Sequence, residues 1–237
     1  MTRNISLSLL FVFSCSSLPS GEKGPKAEEL AQKMLSSHGE ENWQKNTAAV
    51  SFQFTGGDRI LWDKKRQLVE VSWSSWWKNY RVQYSRITGK KVVFVNNKLD
   101  LDPDNKILET ADSKFVNHVF WLNPLFHIYS PGTERYFVAP NMLLVKFTSG
   151  GKTPGDSYLF YPRSDFLLEK MKMWVKILPF KGAAAYFEEY TITETGVKIA
   201  TSHPILFFNV RLRELKMYET FPPPGEEDPF LLLEKAP

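Results

Sequence analysis

The stretch from Val50 to Tyr84, VSFQFTGGDRILWDKKRQLVEVSWSSWWKNYRVQY, decides the fold of this chain. Apolar residues recur at every second position in four runs, at residues 50–54, 60–62, 69–73 and 80–84. A period of two places the apolar residues of each run on one face of a strand. Glycine-rich and lysine-rich breaks separate the runs, as turns do. The stretch therefore predicts an antiparallel meander with one apolar, aromatic-rich face.

The aromatic face of this meander must be covered, because a sheet buries its apolar face against another layer. Four of the seven tryptophans lie between Trp62 and Trp77. We expect Trp73, Trp76, Trp77 and Tyr80 to face this interior, where they either line a cavity or fill the core. A helix, a second sheet or an apolar ligand can provide the cover, and the choice among these is the functional question.

Two amphipathic helices are predicted outside the meander. Residues 27–37 carry an apolar stripe at helical spacing, and Gly39 can end this first helix. Residues 106–122 change from a period of two to apolar spacings of three and four, which predicts a second helix inserted between strands. Further strands are expected from residue 91 to 96 and between residues 142 and 219. Since no second domain boundary is visible, we expect residues 27–220 to form one domain.

The N-terminus indicates export. Residues 1–14 are typical of a signal peptide, with Arg3 before an apolar segment that is too short to span a bilayer. The only cysteine, Cys15, follows at once, and VFSC at residues 12–15 resembles a bacterial lipobox. That resemblance implies cleavage before Cys15 and its lipidation, with residues 15–26 as a flexible tether. The alternative is an ordinary signal peptide cut elsewhere, with Cys15 discarded.

The lipidation hypothesis places the protein in the bacterial cell envelope. We expect an outer-membrane location, on either the periplasmic face or the cell surface. At the other end of the chain, residues 221–237 form a proline-rich C-terminal tail.

Composition and motifs limit the classes of function. A net charge of +4 and a pI near 9.0 give little support for nucleic-acid binding, so no nucleic-acid partner is expected, and we expect a monomer. The sequence has no G-x-S-x-G elbow, P-loop, G-x-G-x-x-G or H-E-x-x-H motif. We therefore expect no enzyme activity, no cofactor and no metal site. A weaker alternative is an enzyme that uses His38 with Glu40 and Glu41, although a histidine at a helix end beside solvated carboxylates accounts for these residues as well.

A series of short motifs resembles an uncharacterised family of exported bacterial proteins related to the LolA and LolB fold of lipoprotein localisation. In chain order they are His38-Gly39-Glu40 with Trp43, a Phe-x-Phe strand, Leu61-Trp62-Asp63, Phe115-Val116-Asn117, Phe120-Trp121-Leu122, and Thr153-Pro154-Gly155-Asp156 with Tyr158. The resemblance implies a single antiparallel, incomplete and half-open β-barrel, mainly β with α. It implies an N-terminal helix and an inserted lid helix over an apolar cavity that takes acyl chains. LolA is a soluble carrier, whereas an anchored chain is closer to LolB.

The leading hypothesis is a lipid-anchored envelope protein that binds an acyl chain or the lipid moiety of a lipoprotein, with a role in lipid or lipoprotein handling. The candidate cavity residues are Phe52, Phe54, Trp62, Trp73, Tyr84, Phe115, Val119 and Trp121. The alternative from another class is a structural or interaction lipoprotein whose core is filled by its own side chains.

Overall fold

The computed structural model of the protein describes residues 17–149, 154–178 and 181–235. These residues form one antiparallel sheet of 14 strands that is not closed into a barrel. The strands are β1 (Ala49–Phe54), β2 (Arg59–Asp63), β3 (Leu68–Ser75), β4 (Lys78–Ser85), β5 (Lys91–Val95), β6 (Lys98–Asp100), β7 (Thr133–Val138), β8 (Met142–Phe147), β9 (Ser157–Pro162), β10 (Leu168–Trp174), β11 (Ala183–Tyr186), β12 (Glu188–Ile192), β13 (Lys198–Ile205) and β14 (Phe208–Tyr218). The predicted fold class, mainly β with α and half-open, is confirmed.

The strand order explains why the sheet stays open. It runs β6-β5-β4-β3-β2-β1-β14-β13-β11-β10-β9-β8-β7, with β12 beside β13. The first and last strands, β1 and β14, pair in the middle, so the two halves of the chain meet there. The two end strands, β6 and β7, do not pair with each other. Sequence alternation did not indicate β7, because five of its six residues are half-buried and its two faces are not clearly different.

Three α-helices and two short turns complete the described chain. They are α1 (Pro25–Ser37), a π-helical turn (Asn42–Asn46), α2 (Asn105–Leu122), a 3-10 turn (Pro124–His127) and α3 (Leu231–Lys235). Both predicted helices are confirmed within two residues at each end. Helix α1 starts at Pro25, where a missing N–H is harmless, and packs an apolar stripe of alanine, leucine and methionine against β7 and β8.

Helix α2 lies on the same face of the sheet as α1, against β3, β4 and β13. Its first turn is capped by Asp104, whose side chain accepts from the backbone N–H of Lys106 at 2.9 Å. The helix ends before Asn123, which is extended at φ −162°, and Pro124 follows. The inner stripe of α2 consists of Ala111, Phe115, His118, Val119 and Leu122. The face that carries α1 and α2 is called the concave face below.

The segment before α1 lies along the sheet. Glu22 pairs with Phe137 of β7, with backbone N–O distances of 2.9 and 2.8 Å. Leu18 joins a small apolar cluster on the outer face with Leu144 and Leu159. Of the predicted tether at residues 15–26, the part described here is therefore docked on the end strand, and pairing with Glu22 covers backbone groups that β7 would otherwise expose.

The C-terminal tail covers the other half of the outer face. Phe230 and Leu233 are buried in a cluster with residues of β3 and β5. Arg66 joins this tail to the β2–β3 turn, because its guanidinium binds both Asp228 and Asp63. The tail at residues 221–235 is thus part of the folded domain.

Candidate functional site

The predicted cavity residues meet on the concave face around α2. Six of them are buried and belong to the main core: Phe52, Phe54, Trp62, Trp73, Phe115 and Val119. The other two, Tyr84 and Trp121, are half-buried and contact this core. Strand alternation placed Phe52, Phe54, Trp62, Trp73 and Tyr84 on one face of the sheet, and helical spacing placed Phe115 and Val119 on the side of α2 that packs against it.

Ring contacts fill the space between α2 and the sheet. The rings of Trp62 and Phe115 lie 5.3 Å apart at an angle of 84°, an edge-to-face contact. On its other side Trp62 lies 5.9 Å from Trp43, which stacks on Phe126 at 4.8 Å. The apolar interior is therefore occupied by the protein's own aromatic side chains, with α2 seated in it.

The expectation that Trp76 and Trp77 face the interior is wrong. Their side chains are 94% and 90% exposed. Ser75 pairs with Lys78, so the two tryptophans are the two-residue turn that joins β3 to β4. The pleat that alternates side chains between faces ends at such a turn, and the period of two does not extend into it. Trp73, three residues before Trp76, is buried as expected.

A polar contact joins α2 to the sheet. Asp58 lies in the turn between β1 and β2, and its Oδ2 accepts from Nε2 of His118 at 2.8 Å and from Nζ of Lys114 at 2.5 Å. Lys114 and His118 are four residues apart, so they project from one side of the helix. Phe54 stacks on the His118 ring with centroids 3.8 Å apart. We call this contact of Asp58 with Lys114 and His118 the Asp58 tie.

The electrostatics of the Asp58 tie favour the ionised carboxylate. Burial alone would raise the pKa of Asp58, but the hydrogen bonds from His118 and Lys114 outweigh it and hold the pKa below its ordinary value. The Nδ1 atom of His118 faces the side-chain amide of Asn117 at 3.2 Å, so Nδ1 accepts there and Nε2 donates to Asp58. An open groove of about 740 Å³ beside the tie is lined by one face of α2: Lys106, Glu109, Thr110, Ser113, Lys114, Asn117 and His118.

Sequence reasoning missed the Asp58 tie. The spacing of Lys114 and His118 was a usable signal, because residues four apart share a helix face. Their partner, however, lies 60 residues from His118 along the chain, and its position depends on how α2 crosses the sheet. Without that crossing the three residues cannot be brought together.

His38 has a structural position. Its Nδ1 lies 2.8 Å from the carbonyl oxygen of Met34, and Nε2 accepts from the backbone N–H of Leu168 at 3.3 Å. Burial lowers the pKa of His38 to about 4, so the ring is neutral at neutral pH. Glu41 pairs instead with Lys45 at 2.8 Å. The contacts of His38 are thus with backbone groups and Tyr190, and Glu41 is held by Lys45.

His203 of β13 is a second buried histidine, lying between the rings of Trp121 and Phe187. Among the described residues, neither ring nitrogen has a partner at full hydrogen-bonding geometry. The backbone of Tyr186 is nevertheless close enough to oppose part of the effect of burial on the pKa of the ring. Burial lowers the pKa of His203 to about 4. This polar side chain lies between two aromatic rings, and the loss of its hydration on folding costs stability.

The basic turn at residues 64–66 is held by contacts within the protein. The ammonium of Lys64 lies 3.5 Å from the centre of the Trp43 ring and donates to the Trp43 carbonyl. Arg66 is bound by Asp63 and Asp228. This turn is therefore a structural element.

Cys15 and the predicted signal peptide at residues 1–14 lie outside the described residues. Over residues 17–149, 154–178 and 181–235, no group of three or more His, Cys, Asp or Glu side chains is arranged to hold a metal ion. None of the helices in that same part of the chain has the length and apolarity to cross a membrane.

Comparison with known proteins adds no family. No protein-family model matches the chain, and no curated protein matches it significantly.

Proposed function

We propose that this protein is a lipid-anchored protein of the bacterial cell envelope that binds an apolar ligand on its concave face. The ligand is an acyl chain or the lipid moiety of a lipoprotein, and the role is lipid or lipoprotein handling without chemistry. One observation carries the proposal. Helix α2 lies across the concave face of an open sheet, with Phe115 and Val119 against the aromatic residues that would contact the ligand.

The proposed binding step exchanges one apolar occupant for another. When α2 moves outward, the contact of Phe115 with Trp62 is lost and an acyl chain takes its place. Each methylene removed from water contributes about 0.8 kcal/mol, so a long chain can offset the contacts that α2 gives up. The Asp58 tie would hold the helix over the face when no ligand is bound.

Native mass spectrometry of the purified protein tests the proposal directly. We expect a co-purified lipid, and we expect a long-chain fatty acid to slow amide exchange in α2 and to shift tryptophan emission. Phe115→Asp should weaken this binding, because it places an unpaired charge in the apolar interior. Lys106→Glu, a change at the exposed start of the same helix, is the matched control and should leave binding unchanged.

A second candidate is a structural or interaction lipoprotein with a self-filled core. The continuous ring contacts from Phe115 through Trp62 and Trp43 to Phe126 favour it. If α2 exchanges as slowly as the central strands without ligand, and no apolar ligand shifts the emission, this second candidate replaces the first. The weaker enzyme hypothesis gains no support from the contacts of His38.

A further inference from the structure

The two edges of the open sheet, at opposite ends of the strands, differ in character. Because neighbouring strands are antiparallel, the turns β1–β2, β3–β4, β5–β6, β8–β9, β10–β11 and β13–β14 lie at one edge. The turns β2–β3, β4–β5, β7–β8, β9–β10 and β12–β13 lie at the other. At the first edge, three of these turns carry large exposed apolar side chains.

Trp76 and Trp77 are 94% and 90% exposed in the β3–β4 turn. Phe207 in the β13–β14 turn is 78% exposed, and Ile177 after β10 is 77% exposed. Leu206 and Phe208 extend this surface at 52% and 55% exposure. We call these six residues the aromatic edge.

The opposite edge is polar by comparison. Its turns read KKRQ at residues 64–67, RITGK at 86–90, RSDF at 163–166 and TETGV at 193–197. The largely exposed apolar side chains at this edge are aliphatic: Ile87 at 73%, Ile192 at the end of β12 at 69%, and Leu101 after β6 at 88%. The concentration of tryptophan and phenylalanine at one edge is therefore a property of that edge and not of turns in this protein generally.

The backbone conformation of the β3–β4 and β13–β14 turns does not favour the apolar residues that occupy them. Trp76 and Leu206 each hold the first turn position, with φ of 54° and 49°. Glycine is the usual residue there, because a side chain is disfavoured at positive φ. The β5–β6 turn of the same sheet uses Asn96 and Asn97, which tolerate this conformation. The β3–β4 hairpin thus combines a disfavoured turn residue with two tryptophans that are almost fully exposed, and neither feature stabilises the isolated fold.

The charges beside these turns have one sign. Residues 74–79 (SSWWKN), 175–178 (VKIL) and 204–209 (PILFFN) contain no Asp or Glu, and Lys78 and Lys176 are exposed. Apolar tips flanked by lysines match the headgroup region of an anionic bilayer, where Trp and Phe lie at the boundary with the acyl chains and Lys reaches the headgroups. Contact between two copies through this edge would instead bring lysines of like charge together.

We propose that the aromatic edge binds the surface of an anionic lipid bilayer, with Trp76, Trp77 and Phe207 inserted at the headgroup boundary. Lys78 and Lys176 then lie at the level of the anionic headgroups. The proposal does not depend on a ligand at the concave face, and either proposal can fail alone.

Vesicle binding by the full chain carrying Cys15→Ala, which removes the proposed lipid anchor and is the background for every variant below, tests this surface. The probes are vesicles of phosphatidylcholine with and without phosphatidylglycerol, and a matched set with bromine on the acyl chains, which quenches inserted tryptophan. We expect binding that requires phosphatidylglycerol and falls with salt, together with quenching of emission. In W76G/W77S the quenching should be lost and the vesicle affinity should fall about tenfold or more, because two large apolar side chains leave the contact.

Two controls separate this result from misfolding and from general stickiness. W76G/W77S places Gly-Ser in the turn, which suits its backbone, so its denaturation midpoint should be unchanged or higher. Ile87→Ser removes an exposed apolar side chain from the opposite edge and should leave vesicle affinity unchanged. Equal binding by W76G/W77S and the unmodified chain overturns the proposal, as does equal binding to vesicles without phosphatidylglycerol. A dimer in solution that W76G/W77S converts to a monomer overturns it as well, and assigns the edge to a protein contact.

Discussion

Replacing Asp58 by Asn tests whether α2 is held on the sheet by the Asp58 tie. The carboxylate accepts two hydrogen bonds at one oxygen, from His118 at 2.8 Å and from Lys114 at 2.5 Å. An asparagine side chain has the same shape, but it has no charge and a single acceptor oxygen. The substitution therefore weakens the tie without opening a cavity.

The magnitude follows from the burial of the partners. The side chains of His118 and Asp58 are 6% and 12% exposed, so their bond is mostly desolvated, and a hydrogen bond to a charged group contributes about 1.5–3 kcal/mol. The side chain of Lys114 is 28% exposed, and solvent screening reduces its share to about 0–1 kcal/mol. We expect D58N to lower the local stability of α2 by about 2–3 kcal/mol.

Hydrogen exchange followed by mass spectrometry measures this change. Peptides from α2 should exchange about 30-fold or more faster in D58N, since each 1.4 kcal/mol is a factor of ten, while β3 changes much less. Glu109→Gln removes an exposed carboxylate of the same helix and is the control, with an expected effect within about 0.5 kcal/mol. A change of less than about twofold in α2 exchange in D58N would refute the argument that this contact holds the helix.

The pH dependence of the tie has a definite sign. The folded-state pKa of Asp58 lies below its ordinary value of 3.8. The stability that the tie contributes is therefore fully present above about pH 4 and is lost as the pH falls through the lower, folded-state value.

Two further predictions concern the core. His38 and His203 each have a pKa lowered from 6.5 to about 4, so the unfolded chain binds more protons than the folded chain between these pH values. The free energy of unfolding measured with urea should therefore fall from pH 6.5 down to 4, by about 2 kcal/mol for each histidine at pH 5. His203→Phe should remove about half of this pH dependence, and an unchanged pH dependence would contradict the assignment. Trp62→Ala should cost about 3–5 kcal/mol of unfolding free energy, because it leaves a cavity beside Phe115, whereas the exposed Trp77→Ala should change it by less than about 0.5 kcal/mol, and a loss below about 1 kcal/mol for Trp62 would place its ring outside the core.

The sequence predicted most elements of the fold, because alternation and helical spacing follow directly from the geometry of strands and helices. The stripe in residues 106–122 located α2 within one residue of its start. The N-terminal half of the sheet was also found, since Val69, Val71 and Trp73 alternate with polar residues and all face the core. Strand β7 was missed, because a strand with half-buried residues on both faces has no alternation to detect.

The functional surfaces were harder to predict for a different reason. An exposed tryptophan at a turn and a buried tryptophan in a strand have the same residue type, and only the register of Ser75 with Lys78 separates Trp76 from Trp73. The Asp58 tie depends on a crossing of α2 over the β1–β2 turn that no local pattern encodes. The occupation of the interior by Phe115 and Trp43 is likewise a result of tertiary packing, which hydrophobic spacing alone does not specify.

A last prediction concerns how the protein stays at the membrane, where the lipidation hypothesis and the aromatic edge make separable contributions. Membrane attachment through an acyl chain at Cys15 is insensitive to salt. Membrane binding through the aromatic edge relies on Lys78 and Lys176, so high ionic strength weakens it. In fractionated cells, Cys15→Ala should leave part of the protein with membranes at low salt and release it at high salt. Adding W76G/W77S to Cys15→Ala should release it at low salt as well. If Cys15→Ala alone remains with membranes at high salt, Cys15 is not the anchor.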